Sequence, residues 1–318
     1  MPLDPQAKAF LDMMREVEMP ALEDLSLEQI RTLPTPIAGE VEAVAKTENR
    51  TVPGIDGNEI PVRIYWPEGW SESSEPAPAL VVFHGGGWVM GTLDLYDSLA
   101  RSLSNAGSCV VVSVDYRMAP EHRFPAAAED SHSAAVYVAE NAESLGVDPA
   151  RIFVGGDSAG GNLAVVVSLM ARDRGSVKLA GQVLVYPIAD CDFETASYVE
   201  NAEGYFLTRA SMKWFWDQYA PDPADRKHPY ASPLKAESLA GLPPAWVMTA
   251  GFDPLRDEGE ALATRLAADG VKTHLEKFDG QIHGFLRRTD LYDEAWRAIR
   301  LIGEFVSQTP STDVAGSV

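Results

Sequence analysis

The chain has little cysteine, no long apolar run and a shortage of basic residues. Its two cysteines, Cys109 and Cys191, have no metal-ligand neighbours, so we expect reduced thiols and no metal site. No apolar stretch reaches the roughly 18 residues that a membrane-spanning helix needs. The first residues show no basic segment followed by an apolar run, which argues against a secretory signal. We therefore predict a cytoplasmic protein that does not insert into membranes.

Acidic residues greatly outnumber basic ones. The chain contains 47 Asp and Glu against 26 Lys and Arg, giving a formal net charge of -21. Nucleic acids and anionic membrane surfaces both require a basic face, so the composition argues against both as partners. The hydrophobic content of 46% and the length of 318 residues suit one large globular domain with a small appendage.

Strand-like and helix-like segments alternate along most of the chain. Such alternation predicts an α/β fold in which helices flank a mostly parallel central sheet. If the strand near 272–278 forms a sheet edge, two copies could pair there as a homodimer. The predicted strands lie near 44–52, 59–66, 79–83, 109–115, 151–155, 181–186, 245–250 and 272–278, and the helices near 92–105, 126–143, 161–173, 256–268 and 290–306.

A Gly-Asp-Ser-Ala-Gly segment at 156–160 provides a candidate nucleophile. It fits the G-x-S-x-G pattern of a sharp strand-to-helix turn that projects the serine, here Ser158, above the sheet. An apolar strand pattern precedes it and a buried helix pattern follows, as this turn requires. A glycine-rich turn without catalysis is the alternative interpretation, and three further segments favour catalysis.

The His-Gly-Gly-Gly-Trp segment at 84–88 follows a predicted strand. Consecutive glycines let the backbone approach a ligand closely with its N–H groups. We predict that these amides stabilise an oxyanion together with Ala159. Among Gly85, Gly86 and Gly87, the last two are the preferred donors. A flexible loop or a phosphate-binding turn are the alternatives, although the lysine of a P-loop is missing. His84 is expected to support the loop rather than act as a base.

Asp253 is the candidate acid, because it follows the predicted strand at 245–250 and catalytic groups gather at the carboxyl ends of parallel strands. Pro254 restricts it to an extended conformation. The nearby carboxylates Asp257 and Glu258 are interpreted as helix-start charges.

His283 is the candidate base. Of the histidines that follow the serine, His274 lies inside a strand pattern and His228 in a polar segment, whereas His283 lies in a loop beside glycines. The order Ser158, Asp253, His283 is that of α/β hydrolases.

Together these motifs resemble the hormone-sensitive lipase family of bacterial esterases, in the subgroup with Gly-Asp-Ser-Ala-Gly at the nucleophile. The segments that carry the resemblance are 84–88, 115–121, 156–161, 253–259 and 283–285. The resemblance implies an α/β-hydrolase fold with a small helical cap. It also implies carboxylesterase activity on short- to medium-chain acyl esters, through a Ser-His-Asp triad and an acyl-enzyme, without a cofactor.

We divide the chain into cap and catalytic regions on this basis. Residues 1–45 are predicted to be cap helices, 46–188 and 241–307 the catalytic domain, 189–240 a cap insertion and 308–318 a flexible tail. The aromatic-rich part of 189–240 has an alternative interpretation as an ordinary helix packed on the core.

A substrate pocket whose size is limited by bulky side chains is predicted beneath the cap. The predicted lining residues are Trp88, Met90, Tyr186, Phe206 and Trp214. A small-molecule ester is the expected partner. Amidase, lactonase and acyltransferase activities remain alternatives on the same scaffold, as does a non-catalytic ligand receptor. The presence of His283 argues against the receptor.

Overall fold

The computed structural model describes residues 2–17, 20, 22–32 and 41–310. In these residues one sheet contains the strands β1 (Lys46–Pro53), β2 (Glu59–Trp66), β3 (Ala77–Phe83), β4 (Val110–Val114), β5 (Val147–Asp157), β6 (Gly181–Val185), β7 (Ala245–Phe252) and β8 (Thr273–Ile282). The helices are α1 (Pro5–Glu16), α2 (Leu27–Thr32), α3 (Asp97–Gly107), α4 (Ala126–Glu140), α5 (Ala142–Leu145), α6 (Ala159–Arg174), α7 (Ala196–Glu200), α8 (Arg209–Tyr219), α9 (Arg256–Ala268) and α10 (Asp293–Gln308).

The sheet is mostly parallel, as predicted. Its strand order is β1-β2-β4-β3-β5-β6-β7-β8. The first two strands form a hairpin and β2 pairs antiparallel with β4, whereas every later pairing is parallel. Helices α3 and α10 cover one face, and α4, α6 and α9 cover the other. The central strands are therefore apolar throughout, because both of their faces are buried.

The predicted boundaries differ from the observed ones mainly at strand and helix ends. β5 begins earlier than expected, at Val147, and the long helix predicted at 126–143 is divided into α4 and α5 at Asn141. β8 is an edge strand, as the dimer hypothesis requires, but dimerisation itself stays a prediction. The predicted tail lies mostly outside the described residues, since α10 ends at Gln308 and the description ends at 310.

Both predicted cap segments contain helices. In the N-terminal segment, the side chain of Asp4 accepts hydrogen bonds from the first amides of α1, and its own amide donates to Gly280 O at 2.9 Å. This contact fixes α1 beside the end of β8. The insertion at 189–240 contains α7 and α8. Within the described residues, none of the helices has the length and hydrophobicity to cross a membrane.

An ion pair between a buried carboxylate and a partly exposed arginine supports the loop that follows β3. The fully buried Asp130 of α4 accepts hydrogen bonds from the backbone amide of Arg117 at 3.0 Å and from its guanidinium group at 2.8 Å. The adjoining residue Tyr116 donates its hydroxyl to His84 O at 2.7 Å, and the Ala119 amide donates to Trp88 O at 2.9 Å. The pair therefore stabilises the segment on which the 84–88 loop rests.

We predict that Asp130→Ala lowers the free energy of unfolding by about 3 kcal/mol, because it leaves the Arg117 guanidinium without its buried partner. Asp56→Asn is the matched control, since Asp56 binds the same guanidinium from an exposed position. It should cost less than about 1 kcal/mol. Urea denaturation of both variants measures the free energy of unfolding. Equal losses in the two variants would show that the contact to Asp130 stabilises the fold no more than the exposed contact to Asp56.

Candidate active site

Ser158 lies at a sharp turn between β5 and α6 in an unusual backbone conformation. Its φ is 58° and its ψ is -119°, a region that costs a non-glycine residue roughly 1–3 kcal/mol. Hydrogen bonds hold the turn: the Ser158 amide donates to Val185 O at 2.9 Å, and its carbonyl accepts from the Asn162 amide at 3.0 Å. The strain is thus maintained by the neighbouring strand and by the first turn of the helix.

Two glycines of this turn permit a close approach to the end of β3. A Cβ atom would lie 2.3 Å from Phe83 O if added to Gly156, and 1.9 Å from the same oxygen if added to Gly160. No side chain fits at such distances. Glycine at both positions therefore brings Ser158 against the loop that follows β3.

Asp253 and His283 form a buried hydrogen-bonded pair. His283 Nδ1 lies 2.7 Å from Asp253 Oδ2, and the aspartate is fully buried. The other carboxylate oxygen accepts from the Leu255 amide at 2.9 Å, which fixes the carboxylate plane. The ring of Tyr186 packs against the imidazole, with centroids 4.5 Å apart. The network favours the tautomer with the proton on Nδ1, so that Nε2 is left as an acceptor.

The neighbouring carboxylates have other partners. Asp257 accepts a hydrogen bond from the Ser197 amide at 2.8 Å and pairs with the Arg256 guanidinium at 2.8 Å. Glu258 lies in the first turn of α9, where the sequence placed it. It is buried and accepts from the Ala189 amide at 3.1 Å, and burial raises the pKa of its carboxyl group well above the ordinary value. Burial therefore favours the neutral form of Glu258.

The glycine loop presents two free amides, and a third lies at the start of α6. Gly86 and Gly87 have positive φ angles of 113° and 58°. Their amides and that of Ala159 donate to no acceptor in the part of the chain that the structure describes. Gly85 differs from the prediction, because its amide donates to Tyr96 Oη at 2.7 Å and to Asp157 Oδ1 at 3.0 Å. It is therefore not available to an oxyanion.

His84 supports this loop, in agreement with the sequence interpretation. Its ring stacks on Tyr116 with centroids 4.2 Å apart, and its Nδ1 lies 2.9 Å from Gly85 O. Burial lowers the pKa of the imidazole, which favours its neutral form. A buried, stacked ring beside the loop carbonyl has a structural role.

A cavity of about 600 Å³ contains Ser158 and His283 in its wall. Both cap segments and the loops of the sheet contribute to it. The N-terminal segment provides Met14, Pro20, Leu22 and Leu25; the insertion provides Glu203, Phe206, Leu207, Thr208, Ala210, Ser211, Met212 and Phe215; the sheet side provides Gly85, Gly86, Gly87, Met90, Gly91, Leu95, Tyr96, Asp157, Gly284 and Arg287. The wall is largely apolar, as is typical of a small-molecule site.

Of the five predicted pocket residues, Met90 and Phe206 line this cavity, whereas Trp88, Tyr186 and Trp214 do not. Trp88 is fully buried beneath the loop, where it stacks on Tyr219 with centroids 4.0 Å apart. Tyr186 is fully buried behind the imidazole of His283.

Trp214 lies outside the cavity wall, although Ala210 and Ser211, four and three positions earlier on α8, both line the cavity. Its ring packs beside the Phe215 ring instead, with centroids 5.4 Å apart. Aromatic character alone therefore does not identify the residues of the pocket.

Sequence reasoning missed Tyr96 and Arg287, both of which line the cavity. Tyr96 lies just before α3, outside the recognised motifs, and Arg287 closely follows the His283 loop. Their proximity to the glycine loop and to the candidate base is the signal that could have indicated them.

Known proteins with related sequences include several esterases. A family model described as the alpha/beta hydrolase fold matches residues 80–287. The carboxylesterase NlhH of Mycobacterium tuberculosis is 40% identical over 290 residues, which cover 89% of each chain. The ethyl acetate hydrolase of Pseudomonas putida is 34% identical over 320 residues, covering 97% of this chain and 99% of the relative.

The solved structures give the same result. The ester hydrolase EH1AB1 from the Lake Arreo metagenome, complexed with a bipyridine phosphonate derivative, has a TM-score of 0.90 and 41% identity. The match covers 96% of this chain and 98% of the other. The chain belongs to the hormone-sensitive lipase-like family of α/β hydrolases and is a carboxylic ester hydrolase.

We predict that Gly86→Ala lowers kcat by roughly 10²–10³-fold, because the added Cβ would displace the loop and its free amides. The Cβ atom would lie 2.0 Å from Met90 O, at a backbone φ of 113°. Gly57→Ala is the control, since its φ is also positive but nothing lies within 4 Å of the added atom. Steady-state hydrolysis of nitrophenyl acetate by both folded variants tests this. A Gly86 variant as active as the Gly57 variant would contradict it.

Proposed function

We propose that the protein hydrolyses short- to medium-chain acyl esters through Ser158, His283 and Asp253, with a covalent acyl-enzyme intermediate. The observation that carries the proposal is the buried Asp253–His283 pair, with its 2.7 Å contact, in the same cavity as a serine on a strained turn. Nucleophile, base and orienting acid are the groups that acyl transfer requires.

In the first half of the reaction, Ser158 Oγ attacks the ester carbonyl as His283 Nε2 accepts its proton. Asp253 holds the Nδ1–H group and stabilises the imidazolium that forms. The free amides of Gly86, Gly87 and Ala159 donate to the oxyanion. These donors are already fixed by the backbone, so they stabilise the charge without reorganising.

The first half ends when His283 gives its proton to the departing alcohol, which leaves the acyl group on Ser158. In the second half, His283 accepts a proton from a water molecule as that water attacks the acyl carbonyl. His283 then returns the proton to Ser158 Oγ as the bond to the acyl group breaks, so the carboxylic acid is released and the serine is restored. The reaction uses side chains and backbone amides of this chain at every step.

Two observations favour ester hydrolysis over the alternatives on this scaffold. Relatives that cover most of the chain are named carboxylesterase and ethyl acetate hydrolase, which supports esters over amides or lactones as substrates. The Asp253–His283 contact supports catalysis over a receptor role. Cytoplasmic location and homodimerisation at the β8 edge stay predictions.

The nucleophile assignment predicts that Ser158→Ala lowers kcat by several orders of magnitude, about 10⁶-fold in a comparable triad, because the three residues act as a unit. Ser211→Ala is the matched control, since Ser211 lines the same cavity from α8. It should stay within a few-fold of the original protein. Both variants are measured with nitrophenyl butyrate, and their folding is checked by thermal melting.

A Ser158→Ala protein that keeps more than about a tenth of the activity would overturn the assignment. An inactive Ser211→Ala protein would show that this assay reports damage to the cavity in general.

The apolar walls predict that kcat/KM is highest for short or medium acyl chains. Phe206 lines the cavity, and its ring contacts Phe10 of α1 with centroids 5.6 Å apart. Phe206→Ala should therefore move the optimum to longer chains. Val199→Ala is the control, because Val199 is an exposed apolar residue of the insertion outside the cavity wall. A series of nitrophenyl esters from acetate to palmitate measures the optimum. Palmitate turnover equal to that of butyrate in the original protein would contradict the size limit.

A further inference from the structure

A buried carboxylate lies immediately before the candidate nucleophile. Asp157 Oδ1 accepts hydrogen bonds from the Tyr96 hydroxyl at 2.8 Å and from the Gly85 amide at 3.0 Å. The Gly85 amide also donates to Tyr96 Oη at 2.7 Å, so the three groups form a closed triangle. The triangle fixes the first glycine of the loop whose next two amides are free.

Arg287 brings a positive charge to the same place. Its guanidinium lies over the Tyr96 ring, 5.2 Å from the centroid, and Arg287, Tyr96 and Asp157 all line the cavity. Among the described residues, no carboxylate lies within 4.0 Å of this guanidinium. The pKa of Arg287 is raised by Tyr96 and then by Asp157, against the opposing effect of burial.

The charge of Asp157 creates an electrostatic problem for ester hydrolysis. The tetrahedral intermediate places a negative charge beside Ser158, and an ionised carboxylate one residue away repels it. Such repulsion is strong in a partly buried site because the effective dielectric constant is low. A nearby fixed cation reduces this repulsion, while the carboxylate still holds the glycine loop.

We propose that Arg287 is a positioning residue that balances the charge of Asp157, so that Asp157 and Tyr96 can hold the oxyanion loop without destabilising the oxyanion. The inference rests on the proposed function of Ser158 and of the loop amides. Its distinguishing consequence is that removing Arg287 harms the reaction chiefly through the uncompensated charge of Asp157.

The test compares Arg287→Met, Arg287→Lys, Asp157→Asn and the double variant Asp157→Asn with Arg287→Met. We expect Arg287→Met to lower kcat by roughly 10- to 100-fold, with KM changed far less, because the charge acts on the transition state. Arg287→Lys should retain most of the rate. The double variant should be faster than Arg287→Met alone.

A double variant no faster than Arg287→Met would overturn the proposal, as would an Arg287→Lys protein as slow as Arg287→Met. Thermal melting establishes that each variant is folded. If the Asp157 variants do not fold, Arg287→Glu replaces them. It adds a second negative charge and should be slower than Arg287→Met, whereas equal rates would overturn the proposal.

The controls separate this inference from the proposed function. An inactive Ser158→Ala protein together with a fully active Arg287→Met protein would reject only the charge balance. An active Ser158→Ala protein would reject the function on which it rests.

Discussion

The site depends on one backbone contact, the approach of the turn at 156–160 to the end of β3. Phe83 O occupies the space where Gly156 and Gly160 would otherwise carry side chains. This contact joins two parallel strands at their carboxyl ends, so the Ser158 turn and the glycine loop form one unit. The positive φ of Ser158 is tolerated because hydrogen bonds on both sides hold it. The position of Ser158 relative to the glycine loop is thus determined by the packing of the turn after β5 against the end of β3.

Electrostatics determine the states of the carboxyl groups around this unit. Asp253 is buried with two hydrogen-bond donors, one of them the imidazole of His283. Glu258 is buried with a single backbone donor, and its pKa is raised, which favours the neutral form. Asp157 has three donors, the Gly85 amide and the hydroxyls of Tyr96 and Tyr186, and Arg287 lies nearby. These carboxyl groups therefore have different roles according to their partners: one orients the imidazole, one is packed in a form that burial keeps neutral, and one supports the glycine loop.

The fold and the residues of the candidate triad could be predicted from the sequence, because both depend on local patterns. The alternation of strand-like and helix-like segments predicts a mostly parallel sheet, and the motifs around Ser158, Asp253 and His283 follow strand ends. Tertiary contacts determined the rest. The amide of Gly85 is engaged by a tyrosine outside any motif, and Trp88 turns into the core rather than the cavity. Such differences depend on which neighbour fills the space, and one-dimensional patterns do not carry that information.

The central claim is that Ser158 forms a covalent bond to the acyl group during turnover. The most direct measurement uses a nitrophenyl alkylphosphonate, which traps the nucleophile of a serine hydrolase, followed by intact-mass and peptide mass spectrometry. A covalent mechanism at Ser158 predicts one phosphonyl group per chain, on the peptide containing Ser158, with loss of activity in proportion to labelling. Stoichiometric inactivation with the label on another residue, or full activity after complete labelling of Ser158, would contradict it.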